Sequence, residues 1–313
     1  MTVLVAGLAA VALTHSGSGS TAGSVPAQHA ETVAPSATTT ASSTEPVRVG
    51  TCQPDEPRPG PPPTGTNTAV TALVLEDASP DVTLDRWDKR ADSGPWAVVV
   101  HRQGGSLGRC GAVVTFPVVD SAGRRTVSVN GVAAHAEARK IIWPIGGGVA
   151  RVRGDLSESA LVKIAAATRI VKGRPVVRAP AGYAVVQQGP YRPAHIREAR
   201  YSGAHLDAVL SGLVSTGVAS VAGFEDQLYT QPLAGVGWVR GHPAVVTPVI
   251  GGNGALVWQP APDQVAYVGY SGSQLTGPVL AAIQTLADHS RAVDDREWRD
   301  SRPMVIDQPN DLN

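Results

Sequence analysis

Three glycines, Gly146, Gly147 and Gly148, precede a helix-like run, GDLSESALVKIAAATRI. Glycine-rich turns that open directly into a helix N-terminus cradle phosphate, because the unpaired backbone N–H groups and the helix dipole both face the anion. Here a strand-like segment, VARVRG, intervenes between the glycines and the helix. The triple glycine therefore reads as a hairpin turn, and no phosphate is expected on it. Ser271 lies in VGYSGS, close to the turn that presents a nucleophilic serine, but that turn needs glycine two residues away on both sides and position 273 is serine. Glu225 and Asp226 are adjacent, so in a strand they would face opposite ways and share no substrate. The eight histidines form no HxH or HExxH pair, and His101, His135, His195, His205 and His242 sit near strand ends, where a solvated or hydrogen-bonded state is expected. No catalytic set, metal site or cofactor site is expected from these spacings.

The two cysteines, Cys52 and Cys110, are too far apart for a CxxC redox or zinc motif. They read either as a disulfide, which would restrict the unfolded chain by about 4 kcal/mol, or as two separate thiols. Lys and Arg number 26 and Asp and Glu number 26, so no overall basic field argues for nucleic acid or an anionic membrane. The basic residues are almost all arginine, and Ala, Gly, Val and Pro are abundant, a bias that points to GC-rich bacterial coding of the actinobacterial kind.

Residues 2–13, TVLVAGLAAVAL, are uniformly apolar, yet as a helix they would span roughly 18 Å against a hydrocarbon core of about 30 Å. Residues 1–14 are therefore expected to be an export signal or membrane anchor, with a start upstream of Met1. Residues 15–66, rich in Ser, Thr, Ala, Pro and Gly, are expected to be a disordered spacer.

Two later stretches share one plan. Val129, Gly131 and Ala134 match Val239, Gly241 and Ala244; Trp143 matches Trp258; Val152 matches Val268; Leu161 and Ile164 match Leu280 and Ile283. The separation only grows along the chain, and it grows at turns, as insertions between strands do. Each copy reads as strand, strand carrying Trp, strand, then helix, with Asp155 and Glu158 capping the first helix and Gly277-Pro278 opening the second. Upstream strand-like runs include AVTALVLED, WAVVVHR, AVVTFPVV, YAVVQQG and HIREARYS, while LDAVLSGLVSTGVASV reads equally as strand or helix. The expected fold is α+β: two tandem antiparallel β-sheet units, 67–178 and 179–290, each closed by a C-terminal helix packed on its sheet, followed by a frayed polar tail at 291–313. Trp143, Trp258, Gly131, Gly241, Ile164 and Ile283 are expected to be structural equivalents, and the unmatched Trp87, Trp96 and Trp238 are the better candidates for a binding surface.

The order VNG, IIW, then VRGDLSESALVKIA resembles a domain of uncharacterised function on the exported side of actinobacterial single-pass envelope proteins, including anti-sigma-factor-like regulators. The resemblance covers roughly residues 125–168 and, more faintly, 236–287. It implies a structural module with no catalytic residues. The function expected is that of a membrane-tethered or secreted envelope protein with a duplicated, non-catalytic binding or sensing module. Its partner would be an envelope protein, lipid or glycan, with membrane contact through the N-terminus and no nucleic acid. The alternatives are an envelope hydrolase with an assembled active site and a carrier of an apolar ligand held between sheet and helix.

Overall fold

A computed structural model describes residues 45–52, 70–76, 78, 82–91, 95–103, 109–119, 125–190, 195–220, 232–250, 253–261 and 264–308. The apolar run at 2–13, most of the 15–66 spacer and the Glu225–Asp226 pair lie outside the described residues. No helix among the described residues is long and apolar enough to cross a membrane.

The chain is mostly antiparallel β-sheet with few helices. It runs through β1 (Ala72–Leu75), β2 (Thr83–Ala91), β3 (Trp96–Arg102) and β4 (Gly111–Phe116), then β5 (Arg125–Val129), β6 (Val132–Glu137), β7 (Lys140–Ile145) and β8 (Gly148–Gly154). Helix α1 (Glu158–Ala166) follows, with β9 (Thr168–Val171) and β10 (Arg174–Val177). Next come β11 (Tyr183–Pro190), β12 (His195–Ser202), β13 (Leu213–Ser220), β14 (Ala234–Val239), β15 (His242–Ile250), β16 (Asn253–Ala261) and β17 (Gln264–Ser271). Helix α2 (Gly277–Asp288), β18 (Ser290–Val293), α3 (Asp295–Asp300) and β19 (Met304–Gln308) complete it.

Two-residue turns with positive φ at both centres join neighbouring strands, which is the geometry that matches strand twist. Asn130-Gly131 (51°, 80°) joins β5 to β6, Arg240-Gly241 (50°, 80°) joins β14 to β15, and Gly146-Gly147 (58°, 79°) joins β7 to β8. The triple glycine is thus a hairpin turn, and a Cβ at Gly146 would lie 2.6 Å from Cγ1 of Ile170.

Seven strands pair in the order β11-β3-β4-β8-β7-β6-β5, and eight in the order β14-β15-β16-β17-β13-β12-β2-β19; β1 pairs with β18 and β9 with β10. All these pairings are antiparallel except the parallel β2–β19. The pairing crosses the expected 178/179 boundary in both directions. β2 lies on β12, with Trp87 opposite Glu198, and β11 lies on β3, with Gln188 opposite Val98. The run at 206–221 resolves in favour of a strand, β13, preceded by a short 3-10 turn at Gly203–His205.

Strand β3 is apolar along its length because both faces are covered. Val98 and Val100 pack under α1 with Trp143, Val152, Leu161 and Ile164, whereas Ala97 and Val99 join Val245, Val257, Val265 and Tyr267 of the other sheet. The two sheets therefore meet face to face, with α1 outside one and α2 outside the other. Val279 and Ile283 of α2 pack onto Trp258 and Val268 of the sheet beneath. The capping of α1 differs from expectation: Ser157 is the N-cap and accepts from the Ala160 amide, because Asp155 is drawn away to Arg109. Thr276 caps α2, with Pro278 in its first turn.

The described part of the tail, 291–308, forms β18, α3 and β19, contrary to the fraying expected from its charge. Asp294 caps α3 by accepting from the Glu297 amide, 2.7 Å away. Trp298, 1 % exposed, packs with Val74, Ala199, Tyr201 and Val293. A charged helix with one buried aromatic carries too little apolar sequence to reveal its buried face. Within the expected 15–66 spacer, the described residues are 45–52. Residues 45–52 form an extended strap, with the Val47 amide on Leu275 O, the Gly50 amide on Leu233 O and the Cys52 amide on Asp155 O.

Replacing Gly147 with Ala should cost about 1–2 kcal/mol for left-handed backbone alone. Gly146→Ala should cost distinctly more, since its Cβ also collides with Ile170. Urea denaturation of the two variants checks the order.

Candidate functional site

The residues expected to be structural equivalents lie as follows. Trp143 pairs with Ala150 and Trp258 with Ala266; the tryptophans are 2 % and 1 % exposed. Gly131 and Gly241 are each the second residue of a two-residue turn with positive φ at both centres, and Ile164 and Ile283 are fully buried on their helices. Leu161 is buried and Leu280 is half-buried. Ser271 is engaged in a turn, its hydroxyl accepting from the Leu213 amide at 2.9 Å.

Cys52 and Cys110 are disulfide-bonded, which ties the strap to the first residue before β4. Beneath the bond, Arg109 donates to Asp155 Oδ2 at 2.5 Å and to Gly50 O at 2.8 Å, while the Cys110 amide also points at Oδ2. Burial pushes the Asp155 carboxyl up to about 6, against the opposing pull of Arg109, the Cys110 amide and Arg139. One strap thus reaches α2's N-terminus at Leu275 and the start of β4 at Cys110.

On the face where the sheets meet, Trp87, Lys89, Glu198 and Arg200 come together because β2 and β12 are in register there. Lys89 Nζ and Arg200 Nε donate to Glu198 Oε1 at 2.9 and 2.6 Å, and Tyr267 Oη donates to Oε2 at 2.5 Å. Tyr267 reaches Glu198 across β13 over Gly217, where a Cβ would stand 2.3 Å from the Tyr267 ring. Burial raises the Glu198 pKa, but Lys89 and the Tyr267 and Arg200 hydrogen bonds outweigh it and hold the carboxyl below its usual range. Burial, with Glu198 beside it, raises the Tyr267 hydroxyl well above its ordinary value. Trp87 lies between Arg200 and Lys89, 3.8 and 4.7 Å from its ring centre. This tryptophan is committed to the cluster and is not a free platform. Sequence reasoning missed Glu198 and Tyr267, because the register linking them spans three strands.

On the outer face, His195 Nε2 meets Asp88, and Arg197 lies 3.7 Å from the same carboxylate while also donating to Asp295 of α3 at 2.6 Å. These charges anchor α3 against β12.

Trp96 is the remaining aromatic candidate of interest. Arg174 lies over its ring at 4.1 Å, and together they border a groove of about 430 Å3 with Val171, Lys172, Val176 and Gln188. Val171 and Val176 are 49 % and 40 % exposed. An aromatic-apolar floor with basic flanks suits an acidic, partly apolar ligand. Trp238 is half-buried on β14.

Comparison of the chain with protein-family models, with curated proteins and with solved structures finds no match.

Two measurements test these clusters. Gly217→Ala should destabilise the protein by about 1–3 kcal/mol through overpacking. In a Tyr267→Ala background the same change should cost far less, so a double-mutant cycle by denaturation should show strong coupling. Asp155 has a folded value above its ordinary 3.8, so its contribution is fully present below about pH 4 and is lost as pH rises through about 6. Wild type minus Asp155→Asn stability, measured by urea unfolding, should therefore fall by on the order of 2–3 kcal/mol across that window. A difference that rises with pH would contradict this assignment.

Proposed function

We propose that the chain is an extracytoplasmic binding module of the bacterial cell envelope, secreted or tethered through its N-terminal segment. The observation that carries this reading is the Cys52–Cys110 bond, since a structural disulfide persists in oxidising compartments and here staples a strap that spans both sheets. The apolar run and spacer read from the sequence support the same placement. A rigid scaffold with a partly apolar, basic-flanked groove supports binding as the task.

The module is built from two copies of one plan, β1 to β9 with α1, and β10 to β18 with α2. Registers support this. Val152 faces Ile141 on one side and Val114 on the other, just as Val268 faces Leu256 and Thr216. Likewise β10 pairs with β9 as β1 pairs with β18, and β11 covers β3 as β2 covers β12. Each copy thus gives its first two strands to the other copy's sheet. The likeness to exported domains of anti-sigma-factor-like regulators belongs with this reading. The carrier alternative is less favoured, because Leu161, Ile164, Val279 and Ile283 fill the spaces between helices and sheets.

Acid-trapped cells treated with a maleimide polymer should show no mass shift on Cys52 or Cys110 until reductant is added. Modification without reductant would contradict export. Lysine-directed cross-linking on intact envelopes should join the tagged chain to a protein, lipid or glycan; no adduct would contradict the binding role.

A further inference from the structure

Segment 294–308 covers the β1–β18 pair and the β2 edge, and among the described residues no segment takes the equivalent place on the β9–β10 pair and the β11 edge. One face of the β1–β18 pair, which joins the two copies, carries Ala72, Val74, Arg291 and Val293. Trp298 of α3 sits on it, leaving Val74 and Val293 only 7 % and 4 % exposed, and Arg291 binds Glu297. β19 then adds in parallel beside β2. The matching face of β9–β10 carries Arg174, Val176, Arg169 and Val171, in the same register. There the two valines are open, and Arg169, which corresponds to Arg291, is exposed. Beside this face β11 is an edge strand among the described strands, although its counterpart β2 is covered.

We propose that this groove and the β11 edge bind a partner protein's segment of the same chemistry as residues 294–308: a short, charged, net acidic helix with an inward aromatic, followed by an extended strand that adds parallel to β11. Three observations select that occupant. The resident segment shows how such a chain fits a face of this register. Its helix carries both signs of charge with a net acidic balance, and its Glu297, which pairs with Arg291 on the covered face, would meet Arg169 at the same register position beside the groove's Lys172 and Arg174. This chain's own tail is engaged elsewhere through buried Trp298, which favours a partner over a second copy. β-strand addition supplies backbone hydrogen bonds, while the aromatic anchor and the arginine supply selectivity. The inference rests on the binding-module and two-copy readings, but its failure would leave the thiol and envelope cross-linking results untouched.

The probe is a fluorescein-labelled peptide of residues 294–308 titrated with the full chain and followed by anisotropy. Saturable binding is expected, weakened about tenfold or more by Arg169→Glu and, separately, by Val171→Asp, and lost when the peptide carries Trp298→Ala. Both protein substitutions are at exposed positions and should leave the thermal unfolding midpoint unchanged. Absence of saturable binding up to about 1 mM overturns the proposal. Binding indifferent to both groove substitutions overturns it as well, since the peptide would then be displacing the resident tail. A dimer seen by sedimentation and dissolved by the same substitutions overturns it in favour of a second copy's tail.

Discussion

Reciprocal strand exchange is the constraint on which the rest of this protein depends. The links 92–95 and 191–194 are short enough to close hairpins, and consecutive strands usually pair. Instead β2 pairs with β12 and β11 with β3, so β2 and β3 belong to different sheets, as do β11 and β12. Neither sheet can complete its order from one contiguous stretch of chain. The cluster of Ala97, Val99, Val245, Val257 and Tyr267 seals the contact between the sheets, and the exchanged strands make that contact obligatory. Burial on both faces also accounts for the continuous apolar runs of β3 and β4.

Polar groups placed within this arrangement then lock it. Glu198 accepts from Lys89, Arg200 and Tyr267, groups on three different strands, so the exchanged strand β2 is held by charge as well as by backbone pairing. Removing one member would leave a buried charge without its partner, a costlier outcome than the modest net value of the intact network. At the other end, the strap, the disulfide and the Arg109–Asp155 pair clamp both halves.

Local periodicity made part of this fold legible. The buried stripes of α1 and α2 follow helix spacing, and Trp143 and Trp258, each buried on a strand of period two, stand out by size. The glycine turn was readable because a strand separates it from α1. The exchange was not readable, since the residues of β2 do not encode which of two similar sheets they join. Trp298 was hidden among charges, and Asp155 mimicked a helix cap while belonging to Arg109. Of the groove, Trp96 was visible as an unmatched aromatic. Its neighbours come from strands distant along the chain: Gln188 arrives through the pairing of β11 with β3, and Arg174 and Val171 face each other across the β9–β10 pair.

The exchange itself is most directly tested by cross-strand backbone contacts in an isotope-labelled sample, using inter-strand nuclear Overhauser effects. The account predicts contacts between Trp87 and Glu198, between Arg86 and Ala199, and between Gln188 and Val98. Contacts that instead pair 83–91 with 96–102, and 183–190 with 195–202, as two local hairpins, would contradict it.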